Sequence, residues 1–357
     1  MKIAILGAAG FVGTRVVEYL ALSAKAEVRA IVRRYAGLAR LSRFDGIDAC
    51  IADATNEEEL FRAFQGCEIV LHSINTNDQD LVRCPASAYR AAERAGVRRI
   101  IFISSASIYG NAQAAEVNES TPIVREGLAS YAVAKFQAEQ EFLRLGSNGG
   151  VDLVVLRPSI IIGPRSGWVS NPARQLLSGQ ALLCEGGPGI CNTVYVDNLI
   201  EAIMLAVHSE RAGGQVFVIG DNEVVTWAEY YRRLGQLLEV SADGISSFPL
   251  PSNRKSWGRG QFEYLRETPY FKAIALLTPT SLKRKVKALL NEPALKTMPQ
   301  FPQPNAPAVA LDIAALHLTK WRLSTAKARN VLGYQGKISL QEGLQRSVSW
   351  LRFAGWI

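Results

Sequence analysis

Short apolar runs alternate with amphipathic stretches through the first half of the chain. Runs at residues 2–6, 27–32, 48–51, 69–72, 99–104 and 152–156 predict strands. Apolar residues spaced three to four apart at about 11–20, 57–64, 84–95 and 131–145 predict helices. A helix at about 196–207 and a strand at 215–219 continue the series. Such alternation predicts an α/β fold, a doubly wound parallel sheet with helices on both faces. The sheet takes residues 1–162 plus about 194–223. What remains, about 163–193 plus 224–357, predicts a smaller, discontinuous C-terminal lobe that binds substrate. Prolines at 293, 299, 302, 304 and 307 exclude regular helix or central strand there, so 291–307 reads as a surface connection, with an active-site lid as the alternative. Helical order resumes over 324–350.

Gly7, Gly10 and Gly13 follow the first predicted strand and open the first predicted helix. In that setting the first glycine permits a tight turn, the second lets backbone approach a pyrophosphate, and the third allows close helix packing. The anion then rests on the free N–H groups of the helix start, at Phe11 and Val12. The second strand ends Ile31-Val32-Arg33-Arg34, with no carboxylate near Val32 to accept from a ribose 2′-hydroxyl. Guanidinium groups at Arg33 and Arg34 suit a 2′-phosphate instead. NADP is the expected cofactor, with NAD as the alternative.

Tyr131 and Lys135 stand four apart on a predicted helix and so share a face. An ammonium beside a phenol favours phenolate, which would lower the Tyr131 pKa toward working pH. A tyrosine so tuned can exchange a proton with a secondary alcohol while a nicotinamide exchanges the hydride. Twenty-six residues before Tyr131 lies Ser105, in Ser104-Ser105-Ala106-Ser107-Ile108-Tyr109-Gly110.

These signals, in this order, resemble the extended short-chain dehydrogenase/reductase superfamily, the NAD-dependent epimerase/dehydratase family. The resemblance covers residues 1 to about 221 and resumes weakly over 324–352. It implies a Rossmann-type fold and a catalytic set of Ser105, Tyr131 and Lys135, with Ser105, Ser107, Tyr131 and Asn192 facing substrate. It also implies cofactor contacts from Asp53 and Ala54 after the third strand, Ser73 after the fourth, Tyr131, Lys135, and Pro158 and Ile160 in Arg157-Pro158-Ser-Ile-Ile-Ile-Gly163. A homodimer is implied as well, paired through the helices at about 84–95 and 131–145.

Three departures bear on substrate. Ala106 and Ser107 stand where dehydratases of this group carry an acidic pair, which speaks against dehydration. Cys191-Asn192-Thr193 replaces the Arg-containing run with which many nucleotide-sugar enzymes grip their substrate. Leu81 lies near the position of the family's proton-relay Asn. A nucleotide-linked sugar, handled by a ketoreductase or epimerase, is placed first. A bulky apolar or lipid-linked alcohol, on the side of 3β-hydroxysteroid and dihydroflavonol reductases, is the alternative, and a catalytically silent NADP-binding regulator comes third.

The 357 residues carry a net charge of +8, and the excess is local: ten Lys/Arg against three Glu between Arg254 and Lys296. That stretch lies in an insertion at about 248–319 which the resemblance does not cover. It suits an anionic substrate, or peripheral contact with an anionic membrane surface. No nucleic-acid-binding module accompanies it. No apolar run approaches a membrane span. Five scattered cysteines without Cys-x-x-Cys spacing read as reduced thiols of a cytoplasmic protein, and three separated histidines suggest no metal site.

Overall fold

A computed structural model of the chain describes residues 1–110, 112–242, 244–250 and 311–357. The chain divides into two compact units, Met1–Pro249 with Asp312–Ile357, and Leu250–Leu311. The basic stretch and the proline-rich connection lie outside the described residues.

The first unit is built on a seven-stranded parallel sheet. Its strands are β1 (Lys2–Leu6), β2 (Glu27–Val32), β3 (Asp48–Ile51), β4 (Ile69–His72), β5 (Arg99–Ile103), β7 (Asp152–Pro158) and β11 (Val216–Ile219), in the order β11-β7-β5-β4-β1-β2-β3. The two-residue β6 (Glu116–Val117) lies outside this sheet. Helices α1 (Phe11–Ser23), α2 (Glu57–Phe64), α3 (Asp78–Arg94), α4 (Ser130–Gly146) and α6 (Val196–His208) flank it. The predicted doubly wound topology is present. Its strand order reverses between β1 and β4, which opens the crevice where such folds bind ligands.

Side-chain alternation sends each strand into two cores. Ile3 and Ile5 of β1 join Val154 and Leu156 of β7 in one apolar cluster with α1 and α6. Ala4 and Leu6 join Ile100, Phe102 and Phe142 in the other, beneath α2, α3 and α4. A third cluster gathers α5 (Gly167–Leu177), α7 (Trp227–Leu238) and the last helix, α9 (Leu340–Phe353), around Tyr195 and Trp227. The remaining elements are β8 (Ile160–Ile162), β9 (Leu182–Cys184), β10 (Thr193–Tyr195), β12 (Ser246–Phe248), α8 (Leu311–His317) and β13 (Arg322–Leu323), with β8 paired to β10, β9 to β12 and β6 to β13.

Helix ends follow local chemistry. The Asn56 side chain caps α2 by accepting from the N–H groups of Glu58 and Glu59. Helix α3 begins six residues before the predicted start, and Pro85 lies inside it. The reason is at its N-terminus. Asn77 accepts from Asp80 N at 3.0 Å and donates back to the Asp80 carboxylate at 2.8 Å, fixing a start that tolerates a proline two turns later.

Candidate active site

Predicted site residues stand at the C-terminal ends of β1 (Gly7), β4 (Ser73), β5 (Ser105) and β7 (Pro158); Arg33 and Arg34 follow β2, Asp53 and Ala54 follow β3, Tyr131 and Lys135 stand on α4, and Asn192 precedes β10. Gly7 has φ +93°, and a Cβ there would lie 3.1 Å from the Ser73 carbonyl group. A Cβ on Gly10 would lie 3.1 Å from the Gly7 carbonyl oxygen, and one on Gly13 would overlap that same oxygen. The three glycines therefore form a cradle that side chains would fill. Gly10 N donates to Gly7 O at 2.9 Å, and the Thr14 hydroxyl donates to Ala8 O at 3.0 Å, which locks the turn onto the helix. No side chain caps α1 and no acidic residue occupies its first turn. Phe11 and Val12 thus present N–H groups to an anion. Shape and donor set both fit a dinucleotide pyrophosphate.

Arg33 and Arg34 project from the end of β2 and are exposed. Arg33 lies 3.7 Å from Asp80, a loose pair that leaves its fork available. Asp53 accepts from the backbone and hydroxyl of Thr55 at 2.8 and 2.7 Å, and these bonds hold its pKa below the usual value. Ala54, next to it, accepts a 2.7 Å hydrogen bond from Ser87. The Ser73 hydroxyl and N–H both donate to Leu6 O, tying the end of β4 to the glycine turn.

Across the crevice, Ser105 follows β5 and caps a short turn, accepting from Ser107 N at 3.1 Å and donating to Ser107 Oγ at 2.9 Å. Tyr131, in the first turn of α4, is 36% exposed, and its phenol is within hydrogen-bonding reach of Ser105. Lys135 is 2% exposed one turn further on. Its ammonium donates to the carbonyl groups of Ile74 at 3.2 Å and Ile103 at 3.0 Å.

Here the structure differs from the expected tuning. Burial raises the Tyr131 pKa, with Ser105 opposing it, while burial drives Lys135 down to about 8. Lys135 is held by two backbone oxygens, and the lowering expected from an ammonium beside the phenol is absent. Asn192 also has a structural engagement: its amide donates to Trp321 O and accepts from Leu323 N, both at 3.0 Å. Pro158 closes β7, and Ile160 opens β8 after one intervening residue.

Sequence reasoning missed the buried network behind α4. Glu139, fully buried and one turn after Lys135, takes the Arg157 guanidinium at 2.6 Å and the Ser104 hydroxyl at 2.5 Å. Arg157 also donates to Tyr109 Oη at 2.6 Å. One ion pair thus ties α4 to the end of β5, to β7 and to the turn that Ser105 caps. The available signal was the spacing, since residues 131, 135 and 139 follow one helix face. His72, beside Ser73, is packed edge-on against Phe102 and Phe142, and neither ring nitrogen has a hydrogen-bond partner. Burial lowers its pKa to about 3, so it stays neutral.

Residues 3–220 match the NAD dependent epimerase/dehydratase family. The chain belongs to that family. Family members of two kinds are among its curated relatives. A 4-hydroxy-2-methyl-3-oxo-4-farnesyl-3,4-dihydroquinoline-1-oxide ketoreductase of Stigmatella aurantiaca is 24% identical over 96% of this chain and 95% of its own. A UDP-glucose 4-epimerase of Vibrio cholerae is 26% identical over 67% of this chain and 76% of its own. Among solved structures, a UDP-glucose 4-epimerase of Thermotoga maritima with UDP-glucose superposes with a TM-score of 0.71 at 20% identity, covering 99% of both chains. A dTDP-glucose 4,6-dehydratase of Streptomyces venezuelae with NAD bound gives 0.73 at 18% identity, covering 100% of this chain and 98% of that one. At these identities the structures establish the shared fold. The family is NAD-dependent, and this chain is accordingly an epimerase, dehydratase or reductase of extended short-chain type. No helix among the described residues is long and apolar enough to cross a membrane.

Proposed function

We propose that the chain is an NADP-preferring ketoreductase that interconverts a ketone and a secondary alcohol on a bulky, largely apolar substrate. What supports the reading is Tyr131 within hydrogen-bonding reach of Ser105, with Lys135 one turn along the same helix and the glycine cradle after β1. When bound, a nicotinamide supplies or takes the hydride. Tyr131 Oη gives its proton to the carbonyl oxygen in reduction and takes it back in oxidation. The Ser105 hydroxyl shares that oxygen and steadies charge as it develops there. Lys135 holds the ends of β4 and β5 together through Ile74 and Ile103, and with cofactor bound its ammonium would orient the ribose. Arg33 and Arg34, with no carboxylate at Val32, support the 2′-phosphate preference.

The substrate reading rests on chain coverage and on one missing residue. The Stigmatella ketoreductase and a 2-alkyl-3-oxoalkanoate reductase of Shewanella oneidensis, 24% identical, each align over 96% of this chain. The run Cys191-Asn192-Thr193 offers no arginine for a nucleotide, and Asn192 is engaged with the backbone at Trp321 and Leu323. Ala106 and Ser107 supply no acid–base pair for dehydration. A nucleotide-sugar epimerase is the second reading, favoured by the Vibrio cholerae relative. The division into a cofactor domain (1–162, 194–223) and a substrate lobe (163–193, 224–357) belongs to this proposal, as does a homodimer paired through α3 and α4.

The test is a panel assay with NADPH and NADH against a 2-alkyl-3-oxo acid, a 3-ketosteroid and UDP-glucose. Ketone-dependent consumption of NADPH supports the first reading. Interconversion of the UDP-sugar without net nucleotide consumption replaces it with the second. Bound dinucleotide with no turnover on any ketone or sugar would revive the silent-regulator reading.

A further inference from the structure

Beside the glycine turn lies a cavity of about 300 Å³ lined by Phe11, Arg40, Arg165, Ser170, Trp350 and Trp356. Phe11 is the residue whose N–H opens α1, so the cavity adjoins the dinucleotide cradle. Arg40 is fixed there by donating to Ala9 O, inside the turn, at 2.9 Å. Arg165 follows Gly163 and has φ +74°, a left-handed backbone that non-glycine residues adopt at a cost and that recurs at ligand clamps. Among the described residues its guanidinium makes no hydrogen bond or ion pair.

The surroundings of Arg165 are cationic. Burial lowers the Arg165 pKa, and the nearby Arg40 and Arg43 charges lower it further. Glu18 is the carboxylate that opposes them, but it is already held by Arg15 at 2.8 Å and by Arg43 at 3.3 Å. Two arginines thus line one cavity with Phe11 at the start of α1, with positive charge that no neighbouring acid among the described residues neutralises. A group carrying two negative charges at that helix start would meet N–H donors on one side and guanidinium forks on the other.

The geometry points to Arg165 and Arg40 as a cationic jaw that closes on the pyrophosphate of the dinucleotide. The inference rests on the proposed cofactor reading and assigns residues that the glycine turn does not include. A pyrophosphate clamp is blind to the 2′-phosphate, so its loss should weaken NADPH and NADH equally. Loss of Arg33 and Arg34 should weaken NADPH alone.

The test is calorimetric titration of the full chain with NADPH, NADH and UDP at low and moderate salt, comparing wild type, Arg165→Ala and Arg40→Ala. Arg165→Ala should weaken both dinucleotides by about tenfold, reduce the salt dependence of binding, and leave UDP unchanged. Arg165→Gly removes the same guanidinium and suits the positive φ, so it gives the same result without a folding defect. Wild-type affinity for both dinucleotides in the Arg165 variants would overturn the jaw while leaving the cofactor reading intact. Loss of UDP binding in place of dinucleotide binding would also overturn it, assigning the cavity to another ligand. A wild-type chain that binds neither dinucleotide removes the cofactor reading and the jaw with it.

Discussion

The glycine turn and the α4 face do opposite things with the same crevice. The turn works by omission. At Gly7, Gly10 and Gly13 any side chain would press on Ser73 or on the Gly7 carbonyl, and the space so kept admits backbone to an anion. The α4 face works by burial. Lys135 and Glu139 sit at 2% and 0% exposure, and their partners fix what each can do. A site made by omission is set by three positions in seven residues. A site made by burial is set by residues from three strands and a turn. The comparison teaches that a binding shape can be local while a protonation state is not.

The largest effect should come from the chemistry of α4. Tyr131→Phe should lower kcat by about 10²–10⁴-fold while dinucleotide affinity stays within a few-fold. Steady-state kinetics paired with calorimetry checks both halves. Normal turnover would take the proton from Tyr131 and assign it elsewhere.

Next is the ion pair behind that face. Glu139→Ala leaves the Arg157 charge buried without its acid, at a cost of about 3–5 kcal/mol of stability in denaturant unfolding. Glu139→Gln should cost less, because it keeps an acceptor for Ser104 and Arg157. Equal stability for wild type and Glu139→Ala would make the network dispensable.

On the opposite side of the comparison, replacing Arg33 and Arg34 together with Ala should weaken NADPH by about 10–100-fold and leave NADH nearly unchanged. Equal affinity for the two dinucleotides in the unmodified chain would end the NADP preference.

A smaller effect sharpens the contrast in protonation. Burial penalises the Lys135 ammonium, so the folded chain holds this proton less tightly than the unfolded chain. Its folded pKa is about 8 against an ordinary 10.5. Stability from this group is therefore lowest and flat below about 8, and rises with pH toward the ordinary lysine value. Isotope-edited NMR should show one lysine titrating near 8, and Lys135→Met should remove it. All lysines titrating together near the ordinary value would contradict the burial argument.

Much of this was legible in the sequence, for reasons the two regions make plain. Strand and helix positions followed apolar spacing because both sheet faces are buried, and α2 was met at 57–64 because its cap, its acidic first turn and its apolar stripe agree. The α3 start was placed six residues late because apolar spacing alone does not mark it, whereas the Asn77–Asp80 exchange starts the helix earlier. The glycine cradle needed no partners from elsewhere and could be read at once. The state of Lys135 could not, because Ile74 and Ile103 are distant in sequence and act through carbonyl groups that every residue carries. Arg165 escaped notice because its φ and its unpaired charge exist only in three dimensions.

The most direct test of the central claim is a crystal structure of the chain with NADPH. The pyrophosphate is expected on the Gly7–Gly13 turn, the 2′-phosphate between Arg33 and Arg34, and the nicotinamide against Pro158 and Ile160, with its reactive carbon facing Tyr131 Oη. A nicotinamide bound away from Tyr131, or a pyrophosphate away from the turn, would contradict it.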